Sequence, residues 1–429
     1  MFRHSANHID TYYAHSLKDQ LVSYAPLQAS GHFDVAIIGA GFSGLHTGLR
    51  LALAGKKVVI LEASRVAWAA SGRNGGQAIL GWSCDMPPIE KALGHERAKI
   101  LWDSMVWASK EIQALPVRHG FDVDYRQGHL WTSVLPRREK FLHEWQEEAA
   151  NKWQYDQLQF INRNEMPEWL GTERYQAGLY DPNGGHLHPL KLAQGLAQAF
   201  VQAGGYLHEH SKVTGYISHQ NGYRIDCNDT QITADVLVLA CNAYIDQLDK
   251  PVARKIIPVG NYQVATETLS AELATSLIPK NVCVTDNQFV LDYFRLTPDN
   301  RLLFGGGCTY LGGLPKDIAK ATRPFINRVF PQLKNVNIDF AWGGHLDITM
   351  KRTPDIGGEN NRYWMQGYSG HGVLPTLAAA RAVSDAILGD ESLLSLYQDI
   401  HNPSFPPGER LASTIEALGK AWYRLRDFI

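Results

Sequence analysis

Apolar and polar residues follow two alternating patterns along the chain, and these patterns predict an interleaved series of strands and helices. The apolar run Val35–Ile38 is typical of a buried strand, Leu45–Ala54 repeats its apolar positions with helical spacing, and Val58–Leu61 is a second buried strand. Further helices are predicted at 88–118, 137–153, 188–205, 316–330 and 373–388. The folded body therefore begins as a strand–helix–strand unit.

Short alternating runs bounded by turn residues predict strands elsewhere. The predicted strand regions are 125–134 as a strand pair, 206–209, 213–218, 222–227, the start of 234–244, an antiparallel sheet over 256–312, and 363–366. Residues 1–33 are predicted to form an arm that Tyr12, Tyr13, Leu17 and Leu21 dock on the body.

Composition narrows the class of protein. The 429 residues are 45% hydrophobic and 20% charged, which is typical of a globular protein with more than one domain. A formal net charge of −2 disfavours nucleic acid or an anionic membrane as a partner. The sequence has no apolar run long enough to span a membrane and no secretory signal. Five scattered cysteines without a CxxC pair indicate free thiols, so we expect a cytoplasmic protein.

The turn after the first strand reads GAGFSG and is the clearest chemical motif. Gly39 permits a tight turn, Gly41 allows the backbone to approach a pyrophosphate, and Gly44 lets the helix pack closely on the strand. The amide groups at the start of the helix favour an anion. Glu62 ends the second strand at the usual offset of about 20 residues, where it can accept hydrogen bonds from an adenosine ribose. A carboxylate there repels a 2′-phosphate, so NADP is disfavoured.

Two further glycine-rich stretches favour FAD over NAD. The loop SGRNGGQ, residues 71–77, stands where an NAD domain would continue with regular structure, and it offers amides and side chains to a flavin. Residues 366–373, QGYSGHGV, place a second glycine turn before a helix. The positive end of that helix would stabilise the negative charge of a reduced flavin ring. FAD is therefore the predicted cofactor.

These strings, together with TYYAHS, EASRVAWAASGRNGGQ and DYFRLTPDNRLLFGGG, resemble the D-amino-acid-oxidase/sarcosine-oxidase superfamily of FAD-dependent enzymes, and within it the gamma-glutamylputrescine oxidase branch. The resemblance implies an α/β fold (α+β overall) with a Rossmann-like FAD-binding domain and a discontinuous antiparallel-sheet substrate domain. The implied segments are an N-terminal arm 1–33, FAD-binding parts 34–95, 163–246 and 343–400, substrate-domain parts 96–162 and 247–342, and a C-terminal helical tail 401–429.

The resemblance also implies cofactor contacts by position. The first glycine turn and Glu62 would hold the ADP half, Val213 would present its backbone to adenine, and the 71–77 loop would line the ring. The expected cofactor-binding residues are Gly39, Gly41, Phe42, Ser43, Gly44, Glu62, Ala63, Ser71, Gly72, Arg73, Asn74, Gly75, Gly76, Gln77, Val213, Ala240, Gly343, Gly344, Gly370, His371, Gly372 and Val373. The sarcosine-oxidase branch attaches its flavin through a cysteine that the region YWMQGYSGHG lacks, so non-covalent FAD is expected.

Amine oxidation by a flavin requires the neutral amine to lie close to the ring, and an aromatic cage suits this task. The candidate catalytic residues are Tyr244, Tyr293, Trp342, Tyr368 and His371, although packing is a competing explanation for each. Arg295 is the candidate partner of a substrate carboxylate, with Lys351 and Arg352 as alternatives. No metal site is predicted, because the pairs His186/His188 and His208/His210 lack a third ligand.

The predicted function is oxidation of the amine of a gamma-glutamylated small molecule to an imine and then an aldehyde, with release of ammonia and hydrogen peroxide. Molecular oxygen is the expected acceptor. The resemblance matches the lysine that activates oxygen in the sarcosine-oxidase branch to Leu303 or a neighbour, which leaves the acceptor open. One alternative is a secondary-amine or N-methyl amino-acid dehydrogenase with another acceptor, and the other is a non-catalytic flavin-binding scaffold. The oligomeric state stays open.

Overall fold

The computed structural model describes residues 5–245, 247–288, 291–309 and 313–406. Within these residues two sheets form the frame of the molecule, and helices pack around them. The tail predicted to be helical over 401–429 lies outside the described residues from 407 onward.

The strands are numbered in chain order. They are β1 His32–Ile38, β2 Val58–Leu61, β3 Gln77–Ala78, β4 Arg126–Ser133, β5 Gln159–Ile161, β6 Ala177–His186, β7 Tyr206–His208, β8 Val213–His219, β9 Gly222–Cys227, β10 Thr230–Leu239, β11 Ile256–Thr266, β12 Cys283–Asp286, β13 Tyr293–Leu296, β14 Leu302–Thr309, β15 Ile338–Thr349, β16 Asp355–Glu359 and β17 Arg362–Gln366.

The α-helices are numbered in the same way. They are α1 Tyr12–Ser16, α2 Phe42–Leu53, α3 Pro87–Leu93, α4 His95–His119, α5 Glu139–Asn151, α6 Pro189–Gln202, α7 Lys250–Ala253, α8 Ala271–Leu277, α9 Ile318–Val329, α10 Val373–Ile387 and α11 Ser392–Gln398. The helix predicted over 88–118 is two helices, α3 and α4, because Gly94 adopts a φ of +77° between them and breaks the helical backbone.

The first sheet is built on the predicted strand–helix–strand unit. Its strand order is β16-β17-β10-β1-β2-β7, and β8 and β9 extend it from β10. Strand β1 lies between β10 and β2 and is parallel to both, so its apolar residues are buried on both faces. Parallel strands end at the same edge of a sheet, which brings the turns after β1, β2, β10 and β17 together.

The second sheet has the order β15-β11-β14-β13-β12-β4-β6-β3, with β5 on β6. The segment 125–134 was predicted to be a strand pair, but it is the single strand β4. Its antiparallel partner, β6, lies much later in the chain, so periodicity within the segment itself did not reveal the pairing. On its other side β4 pairs parallel with β12, so the sheet is mixed rather than wholly antiparallel. Helix α8 interrupts the region 256–312.

One face of the second sheet carries a continuous row of directly paired residues, here named the inner row. In order across β15, β11, β14, β13, β12, β4 and β6 it is Trp342, Gln263, Gly305, Tyr293, Thr285, Trp131 and Leu179. Residues that pair directly across strands project from the same face, so the row forms one surface. Its first half contacts the 71–77 loop.

The N-terminal arm docks on the body of its own chain. Thr11 caps α1 by accepting the amide of Ala14 at 3.0 Å. The Tyr12 hydroxyl donates to Asp299 at 2.7 Å, and the buried ring of Tyr13 meets Trp342 edge-on at 5.5 Å between centroids. The arm thus covers the β15 end of the inner row. Among the described helices, none combines the length and apolar character that crossing a membrane requires.

Candidate active site

The first glycine turn is as tight as its sequence predicts. A Cβ on Gly39 would lie 2.6 Å from the carbonyl oxygen of Ala240, and one on Gly44 would lie 2.0 Å from the carbonyl oxygen of Gly39. Gly39 also has a φ of +108°, which favours glycine. Gly41 is the N-cap of α2 and makes no side-chain cap, which leaves the first amides of the helix to other acceptors.

Glu62 closes this turn from the second strand. Its carboxylate accepts the amide of Ala40 at 2.9 Å and that of Ser64 at 2.8 Å. Burial raises the pKa of Glu62, and the backbone amides, including that of Ala63, act in the opposite direction. The Glu62 carbonyl accepts the amide of Ser211, two residues before Val213 begins β8. The predicted adenine-side residues are therefore neighbours in space.

The 71–77 loop is folded by its own hydrogen bonds. Asn74 donates to the carbonyls of Ala70 and Ser71 at 3.0 and 2.9 Å, and its side-chain oxygen accepts the amide of Gly76 at 2.8 Å. The Ser71 hydroxyl accepts the amide of Phe42 at 3.0 Å, which ties the loop to the first turn of α2. The loop is thus joined directly to the glycine turn.

The inner row holds the other side of the loop. The carbonyl oxygen of Arg73 accepts hydrogen bonds from the Trp342 indole at 2.9 Å and from the Gln263 amide. The ring of Tyr293 lies against Gly75, where a Cβ would approach it to 2.9 Å. Arg295 donates from Nε to the Gly75 carbonyl at 2.7 Å. Only a glycine-rich loop can lie this close to the sheet.

Arg73 crosses from the loop to the edge strand β15. Its Nε donates to the Trp68 carbonyl at 2.7 Å, its guanidinium lies 4.3 Å from the centre of the Trp68 ring, and Nη1 donates to the Gly343 carbonyl at 3.3 Å. Its side chain also passes close to Gly344. Burial lowers the pKa of Arg73. Arg73 Nη2 and Gln263 Oε1 are buried polar atoms without a hydrogen-bond partner in the described part of the chain.

The second glycine turn meets the first one. Asp347 accepts the amides of Gly367 and Tyr368 and so shapes the turn before α10. The Tyr368 hydroxyl and the Ser43 hydroxyl share a hydrogen bond of 2.7 Å, which links this turn to the start of α2. Gly370 has a φ of +90°. Gly372 is the N-cap of α10, which begins at Val373. The N-terminal ends of α2 and α10 therefore lie next to each other.

His371 occupies the second turn with a defined tautomer. Its Nε2 lies 2.8 Å from the carbonyl oxygen of Ile79, and because a carbonyl only accepts, Nε2 carries the proton. Burial lowers the pKa of His371, so the ring is neutral at physiological pH and its Nδ1 is an acceptor. Ile79 directly follows the two-residue strand β3, which links His371 to the second sheet.

The five aromatic candidates occupy four environments rather than one cage. Tyr293 and Trp342 lie in the inner row, Tyr368 packs against Ser43, and His371 contacts Ile79. Tyr244 meets Trp68 edge-on at 5.7 Å and His345 through its hydroxyl at 3.2 Å. Arg295 directs its hydrogen bonds to protein groups: the carbonyls of Gly75, Leu187 and Leu296 and the hydroxyl of Tyr13. The alternative Lys351 donates to the His401 carbonyl.

A different aromatic cluster, which the sequence pattern does not predict, lies on the same face of the second sheet. It surrounds a small cavity and consists of Trp102, Trp131, Trp145 and Tyr155, with the carboxylate of Asp181 in the wall. We name these five residues the aromatic box. No single segment of the sequence predicts this cluster, because its residues come from several strands and helices. The spacing of His129 and Trp131, two apart on one strand, indicates a shared face, but the helices that complete the box are distant in sequence.

The arrangement fits FAD. The close glycine turn, the carboxylate of Glu62 and the adjoining helix N-termini provide what an adenosine diphosphate requires. The unpartnered Arg73 Nη2 and Gln263 Oε1 offer a donor and an acceptor where the loop meets the sheet, and the polar edge of a flavin ring needs both. The roles of individual residues stay predictions.

Comparison with known proteins also indicates an FAD-binding protein. Residues 34–386 match the family model described as FAD dependent oxidoreductase, DAO. The gamma-glutamylputrescine oxidoreductase of Escherichia coli (strain K12) is 40% identical over 425 residues, which are 98% of each chain. A probable oxidoreductase of Haemophilus influenzae is 37% identical over 425 residues, covering 98% of this chain and 97% of that protein.

Solved structures share the fold. Glycine oxidase from Geobacillus kaustophilus superposes with a TM-score of 0.71 at 20% identity, covering 83% of this chain and 95% of that structure. L-amino acid deaminase from Proteus vulgaris gives a TM-score of 0.71 at 16% identity, covering 88% of this chain and 100% of that structure.

The family model and the Escherichia coli relative confirm the predicted family and the predicted FAD cofactor, and the solved structures confirm the predicted fold class.

Proposed function

Because the chain belongs to the DAO family of FAD-dependent oxidoreductases, we propose that it oxidises the terminal amine of a gamma-glutamylated amine such as gamma-glutamylputrescine. The observation that carries the proposal is the 40% identity, over 98% of both chains, to a protein named for that substrate. The amine is converted to an imine, which water hydrolyses to an aldehyde and ammonia. With oxygen as acceptor, the electron pair leaves as hydrogen peroxide.

Bound FAD supplies the acceptor for the hydride that leaves the carbon next to the amine. We propose that the glycine turns, Glu62 and the 71–77 loop hold it without a covalent bond. The protein's remaining tasks are to position the amine, to exclude water and to keep the reacting nitrogen unprotonated. His371 suits the last task, because its neutral ring offers an acceptor at Nδ1 and adds no charge.

Product analysis tests this function. Purified protein reconstituted with FAD is incubated with gamma-glutamylputrescine in air, and aldehyde, ammonia and peroxide are quantified against oxygen consumed. We expect one equivalent of each product per oxygen. Putrescine without the glutamyl group is the matched control, with much lower kcat/KM. Equal turnover of the two amines would contradict a gamma-glutamyl substrate.

A second candidate retains the amine chemistry but transfers the electrons to a carrier other than oxygen. The apolar strand β14 favours it, because the resemblance matches the oxygen-activating lysine to Leu303 or a neighbour, and Leu302, Leu303 and Phe304 are all apolar and fully buried. Stopped-flow mixing of the reduced enzyme with oxygen, and separately with a soluble quinone, distinguishes the two. Rapid reoxidation by oxygen supports the oxidase, and fast reoxidation by quinone alone supports the dehydrogenase. We place either form in a reducing cytoplasm, consistent with five free cysteines.

A further inference from the structure

We propose that the aromatic box is a binding subsite for an alkylammonium group, and that it holds the α-ammonium of the glutamyl moiety rather than the amine that is oxidised. This inference rests on the proposed function, because it names the part of a gamma-glutamyl amine that the second sheet recognises. The box is defined by Trp102, Trp131, Trp145, Tyr155 and Asp181.

The walls of the box are aromatic rings held at right angles to one another. The ring of Trp102 meets Trp145 at 5.8 Å and Tyr155 at 5.6 Å, with interplanar angles of 79° and 76°. Trp131 meets Trp145 at 6.5 Å and 81°. These rings bound the cavity on several sides, and the electron-rich face of an aromatic ring attracts an organic cation.

Asp181 places a carboxyl group at this wall. The residue is only 6% exposed, and one carboxylate oxygen accepts the Tyr155 hydroxyl at 2.5 Å and the Asn183 amide at 2.9 Å. In the described part of the chain no lysine or arginine pairs with it. A buried carboxylate without a cation is costly to keep ionised, and burial raises the pKa of Asp181 accordingly. A ligand ammonium would supply the missing partner.

The chemistry decides which ammonium enters the box. The reacting amine must lose its proton before hydride transfer, whereas a carboxylate within an aromatic cage stabilises the protonated form. A box of this kind beside the reacting nitrogen would therefore slow the reaction. It suits a nitrogen that stays charged throughout, which in a gamma-glutamyl amine is the α-ammonium.

The distance across the sheet agrees with this assignment. In the inner row, Tyr293 touches the loop at Gly75, and Trp131 of the box lies two strands further along. Two strand spacings are about 10 Å. In gamma-glutamylputrescine, nine bonds separate the reacting carbon from the α-nitrogen, the length of three extended residues, or about 10 Å. His129, which pairs with Asp181 in strand register, lines the same cavity.

Two unreactive ligands test the proposal on the FAD-loaded enzyme. Gamma-glutamyl-n-butylamide has the α-ammonium but no terminal amine, and glutaryl-n-butylamide has hydrogen in place of the α-ammonium and keeps the carboxylate. Calorimetric titration should show wild type binding the first about 10- to 100-fold more tightly, the range of a charge-assisted hydrogen bond. Asp181→Asn should reduce that preference to about 5-fold or less, the share that the aromatic rings alone supply, since an amide carries no charge.

Asp286→Asn is the matched control, because it removes another buried carboxylate of the second sheet outside the box. It should keep the wild-type preference. Wild type that binds both ligands equally overturns the proposal, whatever happens to the variant's folding or flavin content. An Asp181→Asn variant that keeps the full preference overturns it as well. If wild type prefers the glutamyl ligand but does not oxidise gamma-glutamylputrescine, the proposed function fails and the box stands.

Discussion

The Nε of Arg295 lies 2.7 Å from the carbonyl oxygen of Gly75, and this bond joins the second sheet to the glycine-rich loop. The same guanidinium donates to the Leu187 carbonyl and to the Tyr13 hydroxyl of the arm. One side chain thus joins three segments that are distant in the sequence: the 71–77 loop, the chain at Leu187 and the N-terminal arm. Arg295 acts as a positioning residue, and the sequence-based role of binding a substrate carboxylate stays a prediction.

Replacing Arg295 by lysine should loosen this junction. One ammonium cannot reproduce the forked geometry, and buried carbonyls lose their donors, so the free energy of unfolding should fall by about 2 to 4 kcal/mol. Chemical denaturation of the holoenzyme measures the loss. Tyr13→Phe removes only one of the bonds and should cost about 1 kcal/mol. Equal stability of the two variants would show that Arg295 does not hold the junction.

The Gly44 position should tolerate no side chain. In Gly44→Ala the new Cβ would lie 2.0 Å from the carbonyl oxygen of Gly39, so the helix must move away from the turn. The purified variant should contain little FAD, as read from the ratio of visible flavin absorbance to protein. Gly215→Ala is the control, because its Cβ would meet only Asp226 Oδ2, at 3.9 Å. Normal flavin content in Gly44→Ala would contradict the placement of FAD at this turn.

Asp286 should make stability depend on pH. Burial, and next the nearby charge of Asp292, raise the pKa of Asp286 to about 7. A carboxyl group whose pKa is raised in the folded state stabilises the fold below its unfolded pKa, and this stability is lost as the pH rises through 7.

Asp286→Asn removes this titration. Its free energy of unfolding relative to wild type should therefore increase by about 2 to 4 kcal/mol from pH 5 to pH 8. Denaturant melts at the two pH values measure the change. The exposed Asp156→Asn should leave the pH dependence of wild type in place. A relative stability of Asp286→Asn that is flat between these pH values would refute the raised pKa.

Much of the candidate cofactor site could be predicted from the sequence, because its residues contact one another within a short stretch of chain. The spacing of Gly39, Gly41 and Gly44, with Glu62 after the next strand, reflects contacts within one strand–helix–strand unit, and the structure brings these residues together. The start of α6 was predicted for the same reason, since Pro189 and the cap His188 act within one turn.

The proposed substrate subsite depends on the pairing of strands that are distant in the sequence, and a single sequence does not reveal that pairing. Trp131 and Asp181 meet because β4 pairs with β6, and Trp102 and Trp145 reach them from two helices. Tyr368 was a reasonable cage candidate from its place in the glycine turn, but its hydroxyl is bonded to Ser43 in the interior. Alternation along one strand predicts a face and not the partners on that face.

An anaerobic titration shows whether the bound flavin takes electrons from a gamma-glutamyl amine. The FAD-loaded protein is mixed with increasing gamma-glutamylputrescine in the absence of oxygen while the visible flavin spectrum is recorded. We expect complete bleaching at about one equivalent of amine per flavin, since each amine delivers one electron pair. A bound flavin whose spectrum stays oxidised in excess gamma-glutamylputrescine would contradict it.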